Sequence, residues 1–110
     1  MGSEVNPARA NPARGEAVLV VAGEALVLRP SFAALVAAEA ELGPLFALVE
    51  RAAAGEMRLS EMAVLFWHII DARPEGLTRE AVGAAVLGQG LAGVSPVLGL
   101  VLRQVLRGAE

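Results

Sequence analysis

The sequence predicts an α+β fold, with an N-terminal β-hairpin packed on a bundle of about four to five short α-helices. Three observations carry this. Two β-prone runs, Val18–Val21 and Leu26–Leu28, flank a short segment centred on Gly23. From Phe32 onward, apolar residues recur at helical rather than alternating spacing. Breakers at Gly43-Pro44, Gly55, Pro74 and the Gly88–Gly93 cluster cut that stretch into short pieces. Length sets the rest: 110 residues suit one domain better than two.

Residues 1–15 are predicted to form a flexible N-terminal tail, and residues 16–108 a single α+β domain. The tail repeats Asn6-Pro7-Ala8-Arg9 as Asn11-Pro12-Ala13-Arg14 and holds little that could offset its ordering entropy. An isolated hairpin is marginal in water, so Glu16–Arg29 must pack on the helices. Ser31 is a good N-cap for a first helix in which Phe32, Leu35, Val36 and Leu42 are apolar and Glu39 and Glu41 face water. Gly43-Pro44 stops it. Leu45, Leu48, Val49 and Ala52 share one face of a second helix, ended by Gly55. A third starts at Ser60, shows a stripe of Met62, Leu65, Phe66, Ile69 and Ile70, and stops near Ala72, before Pro74. Thr78 caps a fourth that runs to about Gln89. Ser95-Pro96 places a cap and an N1 proline at the start of a last helix to Leu106, with Arg103 and Arg107 opposing its dipole.

Composition narrows function. There is no cysteine, so disulfides, thiolate metal sites and cysteine nucleophiles are excluded. The net charge is −3, and the basic residues, all arginine, are scattered rather than gathered into a phosphate-binding stripe. No nucleic-acid role is expected. No signal peptide is recognisable. Ala81–Leu102 lacks any charge and is long enough to cross a bilayer. Its glycines and Ser95-Pro96 divide it into pieces too short to span, so no membrane role is expected.

Candidate chemistry is sparse. Gly88-Gln89-Gly90-Leu91-Ala92-Gly93 matches G-x-G-x-x-G. A dinucleotide site needs a strand before that motif and an acidic residue about 20 positions after it. Here a helix precedes it and the only later carboxylate side chain is Glu110, so an inter-helix loop is the better reading. His68 is the only histidine, with Glu61 and Asp71 as its metal-ligand candidates on or near the same helix. That is a poor donor set, and a boundary histidine is expected instead. Glu39 and Glu41 project about 200° apart around a helix and cannot act as an acid–base pair. No catalytic residue, cofactor site or metal site is expected. A small apolar-ligand carrier or an enzyme using His68 is a rival that nothing in the sequence favours. Trp67 is a core or seam residue unless it is an interface anchor. The last helix is apolar around most of its circumference, through Val97, Leu98, Leu100, Val101, Leu102, Val105 and Leu106. Such a helix is either central to the fold or covered by a partner. The predicted partner-binding residues are therefore Trp67, Leu98, Leu102, Val105 and Leu106.

One resemblance gives these elements a context. Asn11-Pro12-Ala13-Arg14-Gly15-Glu16 leads into a hairpin with Gly23-Glu24, then Leu28-Arg29 and a helix opening Phe32-Ala33-Ala34-Leu35 and carrying Glu39. Leu42-Gly43, Leu77-Thr78 with Val82, Gly90-Leu91, Val101-Leu102-Arg103 and Gly108 follow in order. This series resembles the tail assembly chaperones of gene transfer agents and long-tailed phages. The resemblance implies a non-enzymatic protein that coats the tape measure protein during tail assembly, with the tail tube protein as a second candidate partner and self-association left open. It also implies a cytoplasmic protein of the bacterial producer cell, absent from the mature particle. The alternative is a structural tail component, such as a completion or connector protein, retained in the particle.

Overall fold

A computed structural model describes residues 16–107, excluding the side chain of Arg107. The Met1–Gly15 tail and the predicted role of the Arg107 side chain lie outside the described residues. The chain runs β1 (Ala17–Val21), β2 (Glu24–Leu28), α1 (Phe32–Leu42), α2 (Leu45–Ala53), α3 (Leu59–Ile69) and α4 (Arg79–Arg107). It is an N-terminal two-stranded hairpin on four helices, the last of them broken.

The hairpin is antiparallel, with Leu19 opposite Leu26 and Val21 opposite Glu24. Its two-residue turn is Ala22-Gly23, both at positive φ (52° and 81°), which matches the twist of the flanking strands. Glycine adopts this backbone freely, whereas Ala22 is strained. Leu19, Val21, Leu26 and Leu28 enter the core, where they meet Leu48, Leu65, Phe66, Ile69, Val82 and Val86. β1 packs on α4. β2 is met by the chain leaving α3: Ile70 bridges Leu28, Arg29 N–H donates to the Ile69 carbonyl at 2.6 Å, and Asp71 N–H donates to the Val27 carbonyl at 2.8 Å. Side chains close the same seam. Arg29 Nε donates to Glu16 Oε2 at 3.0 Å, and its Nη1 pairs with Asp71.

The helix starts follow local chemistry. Ser31 Oγ accepts from Ala34 N–H at 3.2 Å, and Thr78 Oγ1 from Ala81 N–H at 3.1 Å, each an N-cap bond. α3 starts before Ser60, because Glu61 reaches back to Arg58 N–H at 2.8 Å and caps the first turn from inside. That bond, with Arg51 of α2 at 2.6 Å, holds the Glu61 carboxyl below the usual carboxylate range and ties α2 to α3. α3 ends at Ile69 rather than near Ala72. The β-branched Ile70 goes to the hairpin, and Ala72 turns the chain at φ 51°.

Two further expectations need correction. The last helix begins after Gly90, not at Ser95. Gly90 (φ 79°, ψ 156°) breaks α4 into arms 79–89 and 91–107, a conformation a side chain would resist. Ser95 lies inside the second arm, its hydroxyl donating to the Leu91 carbonyl at 2.8 Å. Pro96, with no N–H to give, also sits within it. Secondly, the apolar residues of the first helix do not share one inward face opposite its glutamates: Phe32 and Val36 are 84% and 48% exposed. Ala38 is the buried residue of α1, because small side chains let it lie close on α3. Arg79–Leu106 is long and apolar enough to cross a membrane, but Gly90 divides it, and Val82, Val86, Val94 and Val101 are fully buried in the core.

Candidate interaction surface

α2 turns 76° away from α1 and lies beside the second arm of α4. Leu48 faces inward and is fully buried, which leaves the next stripe of α2 turned toward α4. Between the two helices runs an open groove of about 430 Å³. Val49, Ala52 and Ala53 form one wall; Leu98, Leu102 and Leu106 lead the other, with Ser95, Gly99 and Arg103. Gly99 has no atom within 4 Å of where a Cβ would stand, so its missing side chain is open space. Exposed apolar side chains stand at the groove and on the α2 face that leads to it. Leu106 is 56% exposed at one end, and Phe46, on the same helical face as Val49 and Ala53, is 66% exposed. Large apolar side chains this exposed mark a contact surface when they gather along one groove.

The predicted partner-binding residues are only partly brought together. Leu98, Leu102 and Leu106 line the groove, with Leu98 and Leu102 forming its buried floor. Val105 is half-buried and does not line it. Trp67 is half-buried at a separate site, where the Arg73 guanidinium lies 4.7 Å and that of Arg79 5.5 Å from the ring centroid. The α2 wall escaped the sequence reading, because Val49 and Ala52 share one helical face with Leu45 and Leu48, and the pattern does not say which of the four stay open. The available signal was Phe46, an aromatic residue off the apolar stripe of its own helix.

Beside Trp67 lies a polar clamp. Arg79 donates from Nη1 and Nη2 to the two carboxylate oxygens of Glu41, each at 2.7 Å. His68 Nε2 contacts Glu41 Oε1. The Glu41 carboxyl is lowered to about 2, first by Arg79 and then by His68. His68 thus has a partner from α1, not the Glu61 or Asp71 of its own neighbourhood. A shallower concavity of about 290 Å³ nearby is lined by Arg29, Ser31, His68, Asp71 and Arg73 among others. Its charges already have uses within the chain: Arg29 holds Glu16 and Asp71, and Arg73 donates to the Trp67 carbonyl at 2.8 Å. Among the described residues, no group of three or more His, Cys, Asp or Glu could hold a metal ion. The glycine motif follows the first arm of α4 rather than a strand, so the context a dinucleotide site requires is missing.

The apolar groove, rather than the polar clamp, is the surface left open to a protein partner. Comparison with known families bears on which kind. A family described as "Phage tail tube protein, GTA-gp10" matches residues 14–108. The chain belongs to that family. No curated protein and no solved structure matches it. Membership of this phage and gene transfer agent tail family corrects one expectation. Tail tube proteins are structural parts that stay in the finished tail, so a cytoplasmic protein absent from the mature particle is no longer the reading. The resemblance to phage and gene transfer agent tail proteins holds at the level of the family; its short apolar motifs do not separate helper proteins of tail assembly from the tail itself.

Proposed function

We propose that this family member is a structural component of the tail, retained in the particle and acting through protein contacts at the α2–α4 groove. The observation that carries the reading is the open apolar groove in a chain whose family is described by a tail tube protein. Its chemistry suits an apolar helix or ridge laid between two helices. Trp67 and Val105, outside the groove, are secondary contact candidates. We read the chain as non-enzymatic, acting by surface complementarity rather than on a bound substrate. Mass spectrometry of purified particles tests this reading: the chain should be present at a fixed copy number per tail. Intact particles lacking it would contradict the proposal.

A second reading is supported by the shape of the groove. A tape measure protein offers long apolar helical faces, and a groove between two helices is suited to such a face. Co-expression with the tape measure protein tests this directly. Stoichiometric capture that Leu106→Glu abolishes would support it, and capture unaffected by that change would count against it.

A further inference from the structure

The groove needs an occupant, and α1 has an apolar ridge that nothing covers. Phe32 is 84% and Val36 48% exposed, and Ala33, Glu39 and Ala40 are exposed as well. These residues fall on the side of α1 away from Ala38, which is buried. Glu39, seven residues after Phe32, returns to within about 20° of it around the helix. The ridge from Phe32 to Glu39 is about 10 Å long, and the groove wall from Leu98 to Leu106 about 12 Å, at 1.5 Å per residue. Ridge and groove are therefore matched in length and in apolar character.

Their charges match too. The ridge carries one carboxylate. Glu39 Oε2 accepts Leu45 N–H at 3.0 Å, and its Oε1 has no partner among the described residues. The groove wall carries one cation. Arg103 is exposed and makes no ion pair among the described residues. Glu41, the other carboxylate at this end of α1, projects from the opposite side of the helix and is held by Arg79 and His68.

We propose that the α2–α4 groove receives the α1 ridge of a second copy of this chain, with Phe32 and Val36 seated among Leu98, Leu102 and Leu106 and Glu39 paired with Arg103. The proposal builds on the groove being the contact surface, as in the tail-component reading above. No ridge residue lines the groove of its own chain. The proposed contact is heterologous: each copy that offers its ridge keeps its groove free. Such contacts close into rings or continue as filaments, rather than stopping at a two-fold dimer.

Sedimentation velocity on the full chain tests this. The wild-type mass should rise with concentration past that of a dimer. Phe32→Glu and Leu106→Glu, both at exposed positions, should fold and each remain monomeric. Mixed in equal amounts they should form a 1:1 heterodimer and nothing larger, because the first retains a working groove and the second a working ridge. Arg103→Glu should weaken wild-type association about tenfold or more. Wild-type protein monomeric up to about 1 mM, where only contacts weaker than the millimolar range go unseen, overturns the proposal. So does self-association of either glutamate variant, or a mixture that stays monomeric. A monomeric wild type whose capture of tape measure protein is lost in Leu106→Glu would overturn it while keeping the groove as a docking surface. A heterodimer from the mixture, with the chain missing from purified particles, would support it while the tail-component reading fails.

Discussion

The molecule has two ends built on opposite terms. At one, α1, α3 and the start of α4 meet around Glu41, whose carboxylate is gripped by Arg79 and His68 while two guanidinium groups flank Trp67. At the other, α2 and the second arm of α4 stand apart over an apolar groove, with Arg103 unpaired among the described residues and Leu106 and Phe46 in the open. The clamp satisfies its own polar groups and holds three helices in place. The groove leaves apolar surface against water, which folding alone does not favour. The contrast separates what holds the fold from what is available to a partner, and mutations should divide along the same line.

The largest effect belongs to the core between the two ends. Phe66, in the last turn of α3, is fully buried, and Phe66→Ala should cost about 3–5 kcal/mol, read from urea unfolding. A loss well below that would mean the seam between hairpin and helices collapses around the cavity. The clamp comes next. Glu41→Gln removes the carboxylate that joins α1 to α3 and α4, so the melting temperature at neutral pH should fall. Acid behaviour gives a sharper reading. The native Glu41 pKa of about 2 lies below the ordinary 4.5, so the native state holds its proton less tightly than the unfolded chain. Its contribution is complete above about pH 4.5 and lost as pH falls toward 2. Melting curves of wild type and Glu41→Gln should therefore converge across that window, and parallel curves would show that the clamp adds nothing.

A smaller effect of opposite sign is expected at the hairpin turn. Ala22 holds φ 52° in a turn that favours Asn-Gly, so Ala22→Asn should stabilise the protein by about 0.5–1 kcal/mol. No gain on thermal unfolding would mean the turn relaxes at no cost. The smallest effect on stability is expected at the groove rim. Leu106→Ala removes an exposed side chain and should change unfolding free energy by less than about 0.5 kcal/mol. A loss of several times that would place Leu106 with the core and remove the distinction between the two ends.

Most of the fold was legible because its signals are local. Ser31 and Thr78 cap the helices they were expected to cap, Gly43 and Gly55 stop the helices they follow, and the hairpin forms around Gly23. The errors came where tertiary contacts decide. Ile70 continues the apolar stripe of α3 in sequence, yet it leaves the helix to bridge Leu28 of β2, a partner far along the chain. Ser95-Pro96 is a good helix start in isolation, but Gly90 breaks the chain earlier and leaves the pair inside the helix. Half of the groove was legible, since the excess of apolar residues on the last helix pointed to Leu98, Leu102 and Leu106. The α2 wall was not, because periodicity shows that Val49 and Ala52 share a face with Leu48 without showing that only Leu48 is fully buried. The Glu41–His68 pair joins residues 27 positions apart, a contact no local pattern contains.

The central claim is that the α2–α4 groove builds this chain into the tail. Quantitative mass spectrometry of particles purified from producer cells carrying either wild type or Leu106→Glu tests it most directly. The account predicts a fixed copy number of the wild-type chain per tail. It also predicts that the variant, though folded, is missing from particles or leaves them without tails. Normal tails carrying the variant at the wild-type level, or intact wild-type particles without the chain, would contradict it.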